Sequence, residues 1–328
     1  MSIGLARKCW SRLPDEHQIS GRQRRSLDNP ASVPGFFVMR SCLPSFLDLR
    51  IAIGVPTGTA SRKVETGRES VATKTGGSNV IITQFDLQQR KQTISAMEVN
   101  PPTLTRELLA AGSATTLVCQ DNPNVRLLSE EERCTSLAEF LRSRPTGDLW
   151  VFAYGSLVWN PAMRIAESRV SEVSGWHRSF CLSMEVGRGT PDEPGLALGL
   201  DRDGACKGIA YRIAENDIAS ELTVLWSREM LMGGYNPTWV DVIGDDGEKF
   251  GVAIAFTIDQ GHQHYAGTLP QHEKIRRLAT ARGSWGSSAD YLFRTIGGLR
   301  EHGIRDIEME RLGVRVSSMT LDELDEAA

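Results

Sequence analysis

All five tyrosines of this 328-residue chain, and six of its seven tryptophans, lie beyond residue 149. Aromatic side chains bury large areas and dominate core packing, so the folded core has to be built from the second half of the chain. The first 96 residues are instead rich in Ser, Thr, Gly and Arg, with little helical or strand periodicity. Such a composition buries too little apolar surface to offset ordering entropy. Residues 1–96 are therefore expected to be a disordered or mis-annotated extension. Asp15, Glu16 and Asp28 weaken a transit-peptide reading of it. Met97 opens a plausible true beginning.

Charge divides at the same place. The extension holds 14 Lys and Arg against 7 Asp and Glu, and the remainder carries the excess of acid that leaves the whole chain at -4. Nucleic-acid affinity rests on neutralising phosphates, so an acidic body argues against a nucleic-acid partner. No apolar run approaches the roughly 18 residues of a membrane span, and the best candidate, near Phe46, is broken by Asp48 and Arg50. The six cysteines are scattered without a C-x-x-C pair, so neither a disulfide framework nor a zinc knuckle is suggested. A reducing cytoplasm is the expected compartment, with no membrane and no metal, and the oligomeric state is left open.

Residues 97–148 read as a helical lead-in. Thr103 or Thr105 caps a short helix carrying Leu108 and Leu109, and a second helix spans 129–143. From Leu149 the pattern turns to strands: Trp150 to Tyr154, Val170 to Trp176, Ser179 to Met184, Leu196 to Leu200, Gly208 to Ile213, Thr238 to Ile243 and Gly251 to Ile258. Asp201-Arg202-Asp203-Gly204 and Asp245-Asp246-Gly247 both read as hairpin turns. Helices are expected at 216–232, 271–281 and 287–301. Many short strands with few helices predict an α+β domain at 149–318 whose sheet curves or closes, followed by a tail at 319–328.

One helix carries a carboxylate on an apolar face. With Asn216 as cap, Ile218, Leu222, Leu225 and Glu229 fall within about 60° of one another at 100° per residue. Burying Glu229 costs several kcal/mol or raises its pKa. Either the adjacent Arg228 or another arginine pairs with it as a structural ion pair, or it is a general acid/base. Around Ser156, Tyr154 and Val158 occupy the glycine positions of a G-x-S-x-G elbow, and no phosphate-binding glycine loop occurs. His262-x-His264 has no third ligand at metal spacing. Glu185, at a strand end, is the rival base, with exposure counting against it.

Several motifs then read together. YGSLVW (154–159), WHRSF (176–180), RGTPDEPG (188–195), SREMLMGGY (227–235), HYAG (264–267) and ATARGSWGSSADYL (279–292) resemble, in order and spacing, the ChaC-like family of glutathione-specific γ-glutamylcyclotransferases. The S-R-E-M form resembles the bacterial branch. The resemblance covers about residues 149–315, and it implies a small mixed-topology β-barrel with flanking helices. It also implies a lyase activity that splits glutathione into 5-oxoproline and cysteinylglycine without a cofactor. By resemblance Glu229 is the catalytic glutamate, and Tyr154, Gly155, Ser156, Leu157, Val158 and Trp159 form the loop holding the γ-glutamyl group. Arg188 either meets a substrate carboxylate or, the preferred reading, pins its own loop through Asp192 or Glu193, and Tyr235 and Tyr291 either line the cleft or sit satisfied in the core. The competing readings are a non-catalytic γ-glutamyl-binding or cation-transport regulatory module, and a cyclotransferase for another γ-glutamyl amine.

Overall fold

The computed structural model describes residues 104–326. The extension at 1–96 and the first residues of the lead-in, including Met97 and Thr103, lie outside the described residues. Thr105 is the cap of α1 (Arg106–Ala110), its hydroxyl accepting from the Leu108 amide at 3.3 Å. Helix α2 (Ser113–Asp121) follows after Gly112. Helix α3 (Glu130–Leu141) opens with a capping box in which Ser129 and Glu132 satisfy each other's amides, which fixes its start where the sequence places it.

A closed five-stranded barrel follows: β1 (Leu149–Ala153), β2 (Glu167–Met184), β3 (Gly195–Ile213), β4 (Tyr235–Ile243) and β5 (Lys249–Ile258), in the order β1-β3-β2-β4-β5. All contacts around it are antiparallel except the closing seams of β5 with β1 and β3, which are parallel. Every residue of β1 is buried, as befits a strand paired on both edges and covered on both faces. A four-residue helix, α4 (Ser156–Trp159), caps its end. Helix α5 (Ile218–Glu229) packs Ile218, Leu222 and Leu225 against the barrel. Helices α6 (Gln271–Thr280), α7 (Ser288–Glu301) and α8 (Ile307–Glu326) cover another side.

One predicted reversal is absent. Asp201 to Gly204 does not turn the chain; β3 runs straight through it, paired with an equally unbroken β2, so two pairs of expected short strands are two long ones. The left-handed conformations that an Asp-Gly pair supplies are present, at Asp203 (φ 73°) and Gly204 (φ 82°). They face Gly175 (φ 81°) across a register shift and make a bulge that bends both strands around the barrel. The same local chemistry at 245–247 does make a hairpin, with Gly247 at φ 80° and its amide on the Gly244 carbonyl at 3.0 Å. One further expectation is corrected: the cap of α5 is Asp217 rather than Asn216. Helices α2, α4 and α8 are not among those expected from the sequence. Cys119, Cys181 and Cys206 are free.

Candidate active site

The site gathers at the end of the barrel where β1 stops. Tyr154 leaves β1 buried, its hydroxyl donating to the Phe256 carbonyl of β5 at 2.5 Å. Its own carbonyl accepts from Arg178 Nε at 2.5 Å, and Arg178 is also paired with Asp306. Gly155 stands at a negative φ, so no left-handed conformation is what it supplies. A side chain there would put Cβ 3.0 Å from the Tyr291 hydroxyl and 3.4 Å from Leu198. Glycine permits this close approach without displacing either neighbour. The chain then winds into α4, where Val158 N donates to the Gly155 carbonyl at 2.9 Å.

The six loop residues divide by facing. Ser156 and Trp159 line a cleft, and Trp159 is held there by Nε1 donating to Thr295 Oγ1 at 3.1 Å and by an edge contact with Tyr291. Tyr154, Gly155 and Leu157 line a smaller inner chamber behind it. Val158 belongs to the same loop but lines neither cavity; its side chain packs in the core by Gly298.

Glu229, the last residue of α5, stands where the chamber and the cleft meet. Only 12% of its side chain is exposed. Burial pushes its pKa up, the neighbouring Arg228 opposes that, and burial wins. The C-terminal end of a helix acts in the same direction, being unfavourable to negative charge. Oε1 lies 3.0 Å from Arg228 Nε, but at an angle that makes no hydrogen bond, so it is a buried acceptor without a hydrogen-bond partner.

Arg228 itself is used elsewhere. Its Nη1 donates to the Asn160 carbonyl at 2.5 Å and its Nη2 to Ser156 Oγ at 2.8 Å. One guanidinium therefore ties the glutamate segment to the loop after β1, joining two motifs that are 72 residues apart. Tyr235 and Tyr291 line both chamber and cleft; the Tyr235 hydroxyl donates to the Leu198 carbonyl at 2.7 Å. Burial raises both phenols, with the Glu229 charge adding to the effect, so both stay protonated.

Arg188 is buried and pinned, but not by its own loop. Its Nη1 reaches the Ser287 carbonyl at 3.1 Å and Asp290 Oδ2 at 3.2 Å, and its guanidinium lies over the Tyr291 ring. Asp192 and Glu193 are exposed instead. Glu185 is half-exposed, 3.7 Å from His264. His262 and His264 stack near each other, and no group of three or more His, Cys, Asp or Glu assembles at ligating distance among the described residues.

A second glutamate on α5 escaped the sequence reading. Glu221 is fully buried and takes both Arg106 Nε (3.1 Å) and Nη2 (2.6 Å), the Arg164 amide and the Ser220 hydroxyl. Its phase lies about 60° from Ile218, so the reasoning that singled out Glu229 applied to it as well. Arg228, expected from the sequence as an ion-pair partner of Glu229, is that partner and also lines the cleft; Arg294, which lines it too, was missed, since in the sequence it does not differ from a solvated arginine.

Residues 149–319 match the family model described as ChaC-like protein. Over 194 residues the chain is 41% identical to the glutathione-specific γ-glutamylcyclotransferase of Escherichia coli, covering 59% of this chain and 84% of that protein. It is 32% identical over 166 residues to the human glutathione-specific γ-glutamylcyclotransferase 1, covering 49% and 74%. A crystal structure of a yeast γ-glutamyl cyclotransferase specific to glutathione superposes with a TM-score of 0.48 at 19% identity, covering 53% of this chain and 97% of that one. At that score the likeness adds nothing to the family match. No helix among the described residues is long and apolar enough to cross a membrane.

Proposed function

The chain belongs to the ChaC-like protein family, and on that premise we propose that it is a glutathione-specific γ-glutamylcyclotransferase, a lyase that releases 5-oxoproline and cysteinylglycine, with Glu229 as its acid/base. The observation that carries the role of Glu229 is its position: a buried carboxylate with a raised pKa, ion-paired with Arg228 but with one oxygen that accepts no hydrogen bond, at the junction of two cavities.

The chemistry asks for little else. In a γ-glutamyl amide the attacking α-amine and the γ-carbonyl belong to one molecule, so ring closure is intramolecular and gains from proximity once the chain is folded back. We assign the amino-acid head of the glutamyl group to the inner chamber, bounded by Tyr154, Gly155 and Leu157, and the leaving dipeptide to the cleft. Glu229 as carboxylate takes a proton from the α-ammonium. The amine adds to the γ-carbon, and as the amide bond breaks the attacking nitrogen sheds its second proton to become the lactam N–H; that proton and the one held by Glu229 both end on the departing cysteinyl nitrogen, which leaves as an ammonium. A carboxyl with a raised pKa suits both halves of this cycle. Amides of the turn at Gly155 and Ser156 are the donors we assign to the developing oxyanion, with Arg228 holding that turn in register with Glu229.

The assay is release of 5-oxoproline and cysteinylglycine from glutathione by the wild-type protein and by Glu229→Gln, with γ-glutamylalanine as a second substrate. Product from glutathione alone supports the specificity; product from γ-glutamylalanine alone assigns a different γ-glutamyl amine. No product from either substrate leaves the non-catalytic module as the surviving reading, and undiminished turnover by Glu229→Gln removes the role given to that residue.

A further inference from the structure

The cleft is more apolar than cysteinylglycine requires. That dipeptide carries one thiol-bearing methylene, whereas the cleft runs from Glu229 past Leu231, Met232 and Trp285. Its far side is closed by Leu109 and Ala114 of the lead-in, outside the 149–319 family match. This wall is fixed in place. Leu109, Ala114 and Val118 are buried against Val186, Val224 and Leu231. Arg106 is clamped on Glu221, Asn160 Nδ2 donates to the Leu104 carbonyl at 3.1 Å, and Asp121 accepts from the Gly187 amide at 2.8 Å and the Ser284 hydroxyl at 2.6 Å.

The remaining lining supplies charge. Arg188 and Arg294 share the single carboxylate of Asp290, at 3.2 and 2.8 Å, so this end of the cleft carries an excess of cation. Trp285 Nε1 is a buried donor without a partner. An occupant with an apolar arm and an anionic end would satisfy both features and remain continuous with the chamber at Glu229.

We propose that the cleft takes S-substituted glutathione, with the alkyl or aryl group of the thioether against the Leu109–Ala114 wall and the glycine carboxylate facing Arg294, so that the chain also cyclises glutathione thioether conjugates. This rests on the placement of the γ-glutamyl group beside Glu229. The reaction keeps its balance: the α-amine nitrogen bonds to the γ-carbon, the γ-carbon to cysteinyl nitrogen bond breaks, and two protons pass from the attacking nitrogen to the leaving amine, one of them by way of Glu229. The thioether is untouched, and the products are 5-oxoproline and S-substituted cysteinylglycine.

The probe is S-hexylglutathione, compared with glutathione in turnover by the wild type and in calorimetric binding to Glu229→Gln. We expect kcat/KM for the hexyl thioether at least equal to that for glutathione, and binding at least about tenfold tighter, since each buried methylene favours the bound state. Ala114→Phe, which fills the wall, lowers the hexyl-to-glutathione ratio at least tenfold. Met232→Gln, on a partly exposed side chain, lowers it in the same direction should the first variant fail to fold. Cleavage of glutathione with S-hexylglutathione neither cleaved nor bound more tightly overturns the thioether site and leaves the parent reading standing. If glutathione itself is not cleaved, the parent reading fails, and calorimetry still decides the cleft: no preference for the hexyl form overturns it.

Discussion

Helix α5 carries two buried glutamates two turns apart, and they are opposites. Glu221 sits at its start with every acceptor occupied: Arg106 twice, an amide and a hydroxyl. Burial pushes its pKa up, but those donors outweigh burial and hold the carboxyl low. Glu229 sits at the end of the same helix, ion-paired with an arginine whose hydrogen bonds go to Ser156 and Asn160, so that Oε1 accepts no hydrogen bond and its pKa is raised. The contrast separates a carboxylate used to hold the lead-in against the domain from one kept available to a ligand. Burial alone, or the presence of a nearby arginine alone, does not distinguish them; where the arginine's donors point does.

The comparison breaks most visibly in activity. Glu229→Gln should lower kcat by about 10³-fold, the range of general acid/base catalysis, in a steady-state assay of 5-oxoproline release. Glu221→Gln, in protein below its melting temperature, should leave kcat within about tenfold of wild type, because the residue touches no cavity lined by Glu229. Equal losses from the two would erase the distinction.

Stability should respond in the reverse order. Arg106→Ala leaves the Glu221 carboxylate buried without its main partner and should cost about 3 kcal/mol in urea unfolding at pH 7. Glu229→Gln should be as stable as wild type or more so, since it removes a buried charge with an unsatisfied oxygen.

The pH dependence sharpens the contrast because the two shifts have opposite signs. A carboxyl with a raised folded pKa contributes stability that is complete below the unfolded value near 4.5 and lost as pH rises through the folded value. One held low contributes stability that is present above 4.5 and lost on acidification. The stability gain of Glu229→Gln over wild type should therefore grow from pH 4 to pH 8. The cost of Arg106→Ala should instead shrink as pH falls below 4.5. Parallel pH profiles for the two variants would contradict the assigned charge states.

Smaller effects test the link between helix and loop. Arg228→Lys keeps a cation beside Glu229 but loses the planar fork that reaches both Ser156 and Asn160, and should lower kcat/KM about tenfold. Gly155→Ala places Cβ 3.0 Å from the Tyr291 hydroxyl and should cost a few-fold in kcat/KM, about the effect of a slight misplacement. Adding Tyr291→Phe should restore part of that loss by removing the contacted oxygen.

Much of the barrel is legible in the sequence because strands announce themselves locally. The all-apolar run at 150–154 became the buried β1, and Asp245 to Gly247 became a turn. Asp201 to Gly204 did not, because an Asp-Gly pair fixes only that the backbone goes left-handed there. Whether that ends a strand or bends it depends on what lies opposite, and Gly175 with a full-length β2 lies opposite. The inward phase of Glu229 followed from Ile218, Leu222 and Leu225, and the motifs gave the family. Its junction position, the direction taken by the Arg228 hydrogen bonds and the wall at Leu109 and Ala114 were not legible, since each joins elements distant in the chain.

By itself, then, the sequence determined where most of the strands and several of the helices lie, which helical face is apolar, and which family's chemistry the motifs carry. These rest on interactions within a turn or two of backbone. The tertiary structure alone decided that Arg106 would spend itself on Glu221 while Arg228 turned to Ser156, leaving Glu229 beside a cation yet without a hydrogen bond. A guanidinium has a limited set of donors in a fixed plane, and which acceptors meet that plane is settled only when the barrel closes and brings the end of β1 against the end of α5.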